Sequence, residues 1–305
     1  MPALPFVIWL QVAAATAVSP AHSTGLRAAA QASVRPRECA PSRAGATTNV
    51  WDAARDPGLE KYCDLLARGF AQLAFAPKAA LESADAADQS SPGRAAPAVL
   101  RGRAWASLNA FDRAAVELER ARGIDSRSLE EPLTLRDWAR SLARTGRGVE
   151  ALAAYRSLGP RLSLLPSTDE RARIFVEGAE VALSLDAAAI DDALAFLGEA
   201  KQLGGRDFGF RIGSELALAL DRKGRQDEAA AITAELARDV RKIAHPAADD
   251  GAENQAALAL VLERVDARQA LAMWERYFGA VGERAPWATH ARAHIDRLHR
   301  GEGVR

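Results

Sequence analysis

The sequence predicts an all-α protein, an elongated solenoid of about six antiparallel helix pairs. Three observations support this prediction: a composition rich in alanine, hydrophobic residues at helical spacing, and a short motif that recurs along the chain. Hydrophobic residues make up 49% of the 305 positions, with only 6% aromatic residues. Much of the hydrophobic content is alanine, which has the highest helix propensity, so closely packed helices are favoured over β-sheet.

The recurring motif appears most clearly in LARTGRGVEALAAY (142–155) and LDRKGRQDEAAAIT (220–233), which align without a gap. The matching pairs are Leu142/Leu220, Arg144/Arg222, Gly146/Gly224, Arg147/Arg225, Glu150/Glu228, Ala151/Ala229 and Ala153/Ala231. Each copy predicts a helix, a tight turn and a second helix. The glycine suits the left-handed end of the first helix, and the glutamate suits the positive end of the second helix dipole.

Further copies extend the pattern to stretches 75–87, 105–121, 190–200 and 266–278. Asn109 takes the place of the turn glycine in one of them. In every copy a small residue stands where the second helix is expected to cross the first. These crossing alanines are Ala80, Ala114, Ala151, Ala193, Ala229 and Ala270. Successive members are between 34 and 42 residues apart, and a period of this size is typical of an α-helical solenoid.

The pattern resembles the tetratricopeptide repeat (TPR) family. The family's small, small, aromatic, small and small columns are occupied here by Gly102, Ala104, Phe111, Ala114 and Ala121. The resemblance covers roughly residues 57–280 and implies a right-handed α-α superhelix. Several steps exceed the family period of about 34 residues, which indicates insertions at 158–173 and 244–254, where we expect the superhelix to kink. Ser167 and Glu170 form a capping-box pattern that would restart a helix.

In this family the first helices of the pairs line an inner groove that holds extended peptides. By register, that face would carry Arg103, Arg136, Arg140, Arg144 and Arg222. Guanidinium groups bind carboxylates in bidentate fashion, so the predicted ligand is an acidic protein or peptide segment, or a chain terminus. The alternative is a solvated arginine face without a ligand, because arginine is abundant along the whole chain and lysine is scarce.

The beginning of the chain predicts export. Residues 1–23 contain no charged side chain, and Leu4–Val18 has the length of a signal-peptide core. No Lys or Arg precedes the core, so a disordered or misassigned start is the alternative. The predicted organisation is a signal peptide (1–23), a flexible arm (24–50), a TPR-like array (51–280), a capping helix (281–300) and a tail (301–305). The expected location is therefore periplasmic or secreted, with no stable membrane span after signal removal.

The two cysteines support this location. Cys39 and Cys63 are the only cysteines, and in an oxidising compartment they could close a loop of about 25 residues, worth about 3 kcal/mol on the loop-entropy model. The pair alone would make a poor zinc site, because zinc requires four ligands. Two free thiols are the alternative.

Motifs for catalysis are scarce. His290 and His294 are spaced i, i+4, which could bring both imidazoles to one metal ion, but no third ligand is evident. We interpret them as the polar flank of an exposed helix, with a metal-binding or enzymatic site as the alternative. The sequence has no phosphate-binding loop and no nucleophile elbow. The 40 basic and 40 acidic residues balance, so no overall positive field attracts nucleic acid, and no nucleic-acid partner is expected.

The sequence therefore predicts a protein–protein interaction or assembly scaffold of the periplasm or cell envelope that is neither an enzyme nor dependent on a cofactor. The other alternative is a structural spacer without a tight ligand.

Overall fold

The computed structural model describes residue 36, residue 39 and residues 58–204, 209–238 and 251–301. Within these ranges the protein is all-α, as predicted, with thirteen α-helices, two short 3-10 helices and no strand. The predicted signal peptide, nearly all of the arm, most of the insertion at 244–254 and residues 302–305 lie outside the described residues. No helix in the described ranges is long and apolar enough to span a membrane.

The helices follow one another through short connections. They are α1 (Leu59–Gln72), α2 (Pro77–Ser90), α3 (Ala95–Ser107), α4 (Phe111–Ile124), α5 (Pro132–Arg144), α6 (Gly148–Leu158), α7 (Thr168–Ser184), α8 (Ile190–Leu203), α9 (Gly209–Arg222), α10 (Gln226–Leu236), α11 (Ala252–Leu262), α12 (Ala267–Val281) and α13 (Ala288–His299). The 3-10 helices are Gly159–Leu164 and Ala187–Ala189.

The first twelve helices form six packed pairs, α1/α2 to α11/α12, and the first helices of successive pairs also contact one another. This is the TPR-like arrangement that the sequence predicts. All six crossing alanines lie in second helices, and each is no more than 4% exposed. A methyl group at these positions lets two helix backbones approach closely, which explains why the period follows alanine rather than a larger side chain.

The turns within the pairs also match the prediction. Gly146 has φ +80°, Gly224 has φ +81° and Asn109 has φ +57°, all left-handed. After each of them, the next backbone N–H donates to a carbonyl five residues earlier: Ala110 to Trp105, Arg147 to Leu142 and Arg225 to Leu220. This hydrogen bond terminates the first helix in the manner of a Schellman motif.

The insertion before α7 contains the 3-10 helix Gly159–Leu164. Ser167 then caps α7, with its Oγ accepting a hydrogen bond from the backbone N–H of Glu170 at 3.2 Å. The predicted restart of a helix at this serine is therefore confirmed.

The buried side chains form two hydrophobic clusters. The smaller contains side chains of α1, α2 and α3 with Ala121 of α4, and the larger begins at Leu118 and continues to α13. A disulfide joins Cys39 to Cys63, with Cα atoms 5.6 Å apart, and both cysteines pack against the smaller cluster. The predicted disulfide is thus present, and it attaches the segment at Cys39 to the first helix.

The last helix, α13, packs against α12. The helix buries Ala291 and Leu298, with Ile295 partly buried against the same core, and Trp287, the residue just before the helix, is also buried. The Trp287 Nε1–H donates to the backbone oxygen of Leu185, a residue 102 positions earlier at the end of α7. The C-terminal helices therefore reach back to the middle of the array.

Candidate functional site

A cavity of about 560 Å³ lies on the inner face of the array. First helices α5, α7, α9 and α11 contribute to its wall, together with α6, α12 and the α12–α13 connection. We call this space the inner-face cavity. Its volume is within the roughly 300–1,000 Å³ usual for ligand pockets.

Two of the predicted arginines line this cavity. Arg140 and Arg144 lie on one side of α5, and both side chains are exposed. Their guanidinium carbons are 5.3 and 5.4 Å from the centre of the Phe111 ring, within the range of a cation–π contact. In the part of the chain that the structure describes, neither guanidinium is paired with a carboxylate.

The acidic residues of the cavity wall are neutralised by arginines. Glu177 pairs with Arg136, Glu180 with Arg211, and Glu253 with Arg222. Burial opposes the charge of Arg136, but its hydrogen bonds with Glu177 outweigh this effect and raise the pKa of the guanidinium above its ordinary value. Since these three carboxylates are already compensated, Arg140 and Arg144 leave the wall with an excess of positive charge.

The other three predicted arginines do not line the cavity. Arg103 is buried and binds Asp137 of α5 at 3.0 Å and Glu131, the N-cap residue of α5, at 3.3 Å. Arg136 joins α5 to α7 through Glu177. Arg103 and Arg136 therefore connect helices. Sequence register alone could not predict this role, because their carboxylate partners lie 28 to 41 residues away.

Arg222 occupies the same column of the motif as Arg144 but is fully buried. Its guanidinium donates to the backbone oxygen of Leu183 at 2.7 Å and to the Tyr277 hydroxyl at 2.9 Å, besides pairing with Glu253. Because α11 and α12 pack over this end of α9, the arginine is enclosed rather than available to a ligand.

The C-terminal end of the cavity is closed by Trp287, whose ring lies 4.8 Å from the Arg222 guanidinium. Tyr277 lines the adjoining wall, and burial raises the pKa of its hydroxyl to about 12. Tyr277 is therefore neutral at physiological pH and acts as a hydrogen-bonding group. Val176 and Val181 of α7 add apolar surface.

His290 and His294 are not the polar flank of an exposed helix, and that interpretation is wrong. His294 is buried, with its side chain 4% exposed, and His290 is mostly covered. Both Nε2 atoms approach Oδ2 of Asp221, at 2.8 Å for His290 and 3.0 Å for His294. Glu263, at the end of α11, contacts Nδ1 of His294 at 2.6 Å. We call these four residues the histidine cluster.

The pKa values of the histidine cluster are set by burial and by the contacts among its members. Burial lowers the pKa of His290. For His294 burial acts in the same direction, but the hydrogen bonds with Asp221 and Glu263 outweigh it and raise the pKa. Burial would raise the pKa of Asp221, yet its bonds with the two histidines hold it below the ordinary range. Asp221 could not be identified from sequence patterns, because it lies on another helix about 70 residues before the histidines.

No protein-family model matches the sequence, and no curated protein matches it. Several solved structures are similar to this chain at low identity. MamA 41-end from Desulfovibrio magneticus RS-1 is 14% identical with a TM-score of 0.44, covering 60% of this chain and 95% of that one. The assembly chaperone of RpL4 (Acl4) is 19% identical with a TM-score of 0.46, covering 79% and 99%. A tetratricopeptide repeat protein from Parabacteroides merdae is 13% identical with a TM-score of 0.38, covering 79% and 99%.

The architecture of this chain follows from its own helices and does not depend on those similarities. Six helix pairs, a buried alanine at each crossing and left-handed residues at three of the turns make it an α-helical solenoid with a TPR-like arrangement.

Proposed function

We propose that this protein is an exported, non-catalytic scaffold for protein–protein interaction or assembly, and that it binds a short acidic segment or chain terminus in the inner-face cavity. The observation that carries the proposal is the position of Arg140 and Arg144. They share one side of α5, line the cavity and face carboxylates that are already compensated. An added carboxylate could therefore form charge-assisted hydrogen bonds with them without displacing an existing ion pair.

The shape of the cavity narrows the class of ligand. At about 560 Å³ it accommodates a few residues rather than a folded domain. Val176, Val181 and Trp287 offer apolar contacts, while the two arginines attract a carboxylate. The ligand that fits best is an extended segment with acidic residues next to an apolar side chain.

The location of the protein is part of the same proposal. The Cys39–Cys63 disulfide supports an oxidising compartment, since such bonds are rare in the cytosol. The uncharged segment 1–23 supports export as a signal peptide. N-terminal sequencing of the protein purified from its native cells should begin after this segment, near Thr24. An N-terminus at Met1 would contradict the proposal of export by a cleaved signal.

The binding proposal is tested by charge reversal of the two cavity arginines, Arg140→Glu/Arg144→Glu. Arg136 is left unchanged, because its pairing with Glu177 holds two helices together. Cross-linking with mass spectrometry on intact cells identifies the segment bound by the wild type. A synthetic peptide of that segment is then titrated by fluorescence anisotropy. The double variant should bind it roughly 100-fold more weakly, since each lost charge-assisted bond is worth about 1.5 kcal/mol.

The chain offers a matched control in Arg113→Glu/Arg122→Glu. These arginines are also exposed, and they also lie over aromatic rings, Trp105 and Trp138, but they do not line the cavity. The control changes the net charge equally and removes the same kind of cation–π contact. If both double variants weaken binding equally, or if the cross-linked neighbours of all three chains are the same, the cavity is not the binding site. Failure to cross-link any partner would favour the structural spacer.

A further inference from the structure

The histidine cluster lies away from the two cavity arginines, under the last helix. His290 and His294 project from α13 toward Asp221 of α9. One carboxylate oxygen thus faces two imidazole nitrogens, and the three potential ligand atoms all lie within 4.8 Å of one another. Asp221 and His290 retain 10% and 20% of their side-chain exposure, so a small solute can reach them.

The spacing of these atoms is close to that of metal ligands. In a tetrahedral zinc site with bonds of about 2.0–2.2 Å, neighbouring ligand atoms are about 3.3–3.6 Å apart. The two Asp221–histidine distances are 2.8 and 3.0 Å. If these distances increased by a few tenths of an ångström, an ion could replace the protons that now join the three groups.

A second carboxylate orients one of the imidazoles. Glu263 is buried, and its Oε1 accepts a hydrogen bond from Trp274 Nε1 at 2.8 Å while its Oε2 accepts one from Arg297 Nη2 at 2.7 Å. Oε1 also lies 2.6 Å from Nδ1 of His294. With a proton on Nδ1, this contact directs the lone pair of Nε2 toward Asp221. Carboxylates support metal-binding histidines in this way.

Arg297 also approaches His294, with Nη2 lying 2.6 Å from Nδ1. A guanidinium only donates, so Nδ1 cannot serve Arg297 and Glu263 at once. We assign the Nδ1 proton to the bond with Glu263, because Arg297 keeps its own bond to Oε2 in either case. His290 differs, since its Nδ1 is buried without a hydrogen-bond partner among the described residues. With its proton on Nε2, a neutral His290 donates to Asp221 and leaves Nδ1 as an acceptor. Metal binding through Nε2 would require that proton on Nδ1 instead, in a neutral imidazole, which is the form that binds metals.

We propose that Asp221, His290 and His294 bind a divalent transition-metal ion, with Zn²⁺ as the best-fitting ion, and that the ion fastens α13 to α9. Two imidazoles and a carboxylate suit zinc, and the partial exposure of His290 leaves the fourth position to water. Asp221 lies 69 residues before His290 and 73 before His294, so the ion would join two distant helices. Its binding energy would therefore add to the stability of the C-terminal helices. This inference does not depend on the proposed ligand of the inner-face cavity.

The first test is a calorimetric titration of Zn²⁺ into the purified, untagged chain after treatment with a chelator. The wild type should bind one ion in this site. His290→Ala and Asp221→Asn should each weaken this binding more than about 100-fold, and Glu263→Gln should weaken it about 10- to 100-fold by releasing His294. The control is His299→Ala, a histidine of the same helix that is exposed and approaches Glu275 rather than Asp221. It should bind as the wild type does.

A second measurement needs no variant, which matters if a substitution unfolds the chain. Amide hydrogen exchange of the wild type with and without Zn²⁺ should show added protection in α13 and the end of α9, and little change in α1 and α2. The inference is overturned if the wild type binds no Zn²⁺, or if His299→Ala weakens binding as much as His290→Ala. Added protection that is absent from α13 would overturn it as well, since the cluster would then be a hydrogen-bonded network only.

Discussion

At the scale of single residues, the recurring motif specifies a backbone conformation. Gly146 and Gly224 both adopt φ near +80° where a first helix ends. The arginine after each glycine reaches a glutamate three residues on, Arg147 to Glu150 and Arg225 to Glu228, through two hydrogen bonds in each case. The repeated letters thus specify a turn and the entry to the next helix.

Replacement of the turn glycine should destabilise the protein without any steric clash. A Cβ at Gly146 would meet no heavy atom within 4 Å, so only the left-handed backbone opposes Gly146→Ala, at a cost of about 1 kcal/mol. Gly198→Ala in the interior of α8 is the matched control. It also has open space but no left-handed backbone, so it should stabilise by about 0.5–1 kcal/mol. Urea denaturation measures the free energy of unfolding of both variants. If both substitutions change it in the same direction, the left-handed backbone is not the cause.

These local features are what the sequence could predict well. Whether a glycine or Asn109 ends a helix depends on a few neighbouring residues, and the alanine period depends on packing within one helix pair. The arginines could not be assigned in the same way. Arg144 and Arg222 occupy one column, yet one is exposed and the other buried, because their surroundings come from other pairs.

At the scale of the helices, arginine–carboxylate pairs join every neighbouring couple of first helices from α3 to α11. They are Arg103–Asp137, Arg136–Glu177, Arg211–Glu180 and Arg222–Glu253. Close packing of small residues holds the two helices of a pair together, whereas these ion pairs link one pair to the next. The arginines that the sequence places on the inner face therefore serve mainly to connect the array.

Loss of one such arginine should be costly. Arg103→Met keeps the aliphatic stem but leaves Asp137 and Glu131 without their partner. Since the Arg103 side chain is only 5% exposed, we expect a loss of about 3 kcal/mol in the free energy of unfolding. Arg156→Met is the control: Arg156 also pairs with an aspartate of another helix, Asp192, but is 55% exposed, and should lose less than about 1 kcal/mol.

The loss in Arg103→Met should also depend on pH. Burial raises the pKa of Asp137 even though Arg103 opposes this shift, so removing the arginine raises it further. An acid with a raised folded-state pKa destabilises the folded protein above that pKa, and the penalty shrinks as the pH falls and the group is protonated. The difference between variant and wild type should therefore decrease on acidification. A difference that is constant with pH would mean that lost packing, not the uncompensated carboxylate, is responsible.

At the scale of the whole molecule, contacts are distributed unevenly. The N-terminal helices contact the adjacent helices in sequence and the first helix of the next pair, as in a simple solenoid. In the C-terminal half, α11 contacts α7, Trp287 bonds to Leu185, and the histidine cluster joins α9, α11 and α13. These partners are too distant along the chain for local patterns to predict, which is why neither the closed end of the cavity nor the role of Asp221 followed from the sequence.

This unevenness predicts that the disulfide protects one end of the array only. Cys39 and Cys63 pack against the smaller hydrophobic cluster, and their bond closes a loop spanning 24 residues. Reduction should cost about 3 kcal/mol by releasing loop entropy to the unfolded state. Amide exchange should then accelerate in α1 and α2 but not in α7 to α13. The double variant Cys39→Ser/Cys63→Ser should show the same amide exchange rates as the reduced protein, and adding a reductant should not change them. Uniform acceleration along the chain would instead show that the two clusters unfold as one unit.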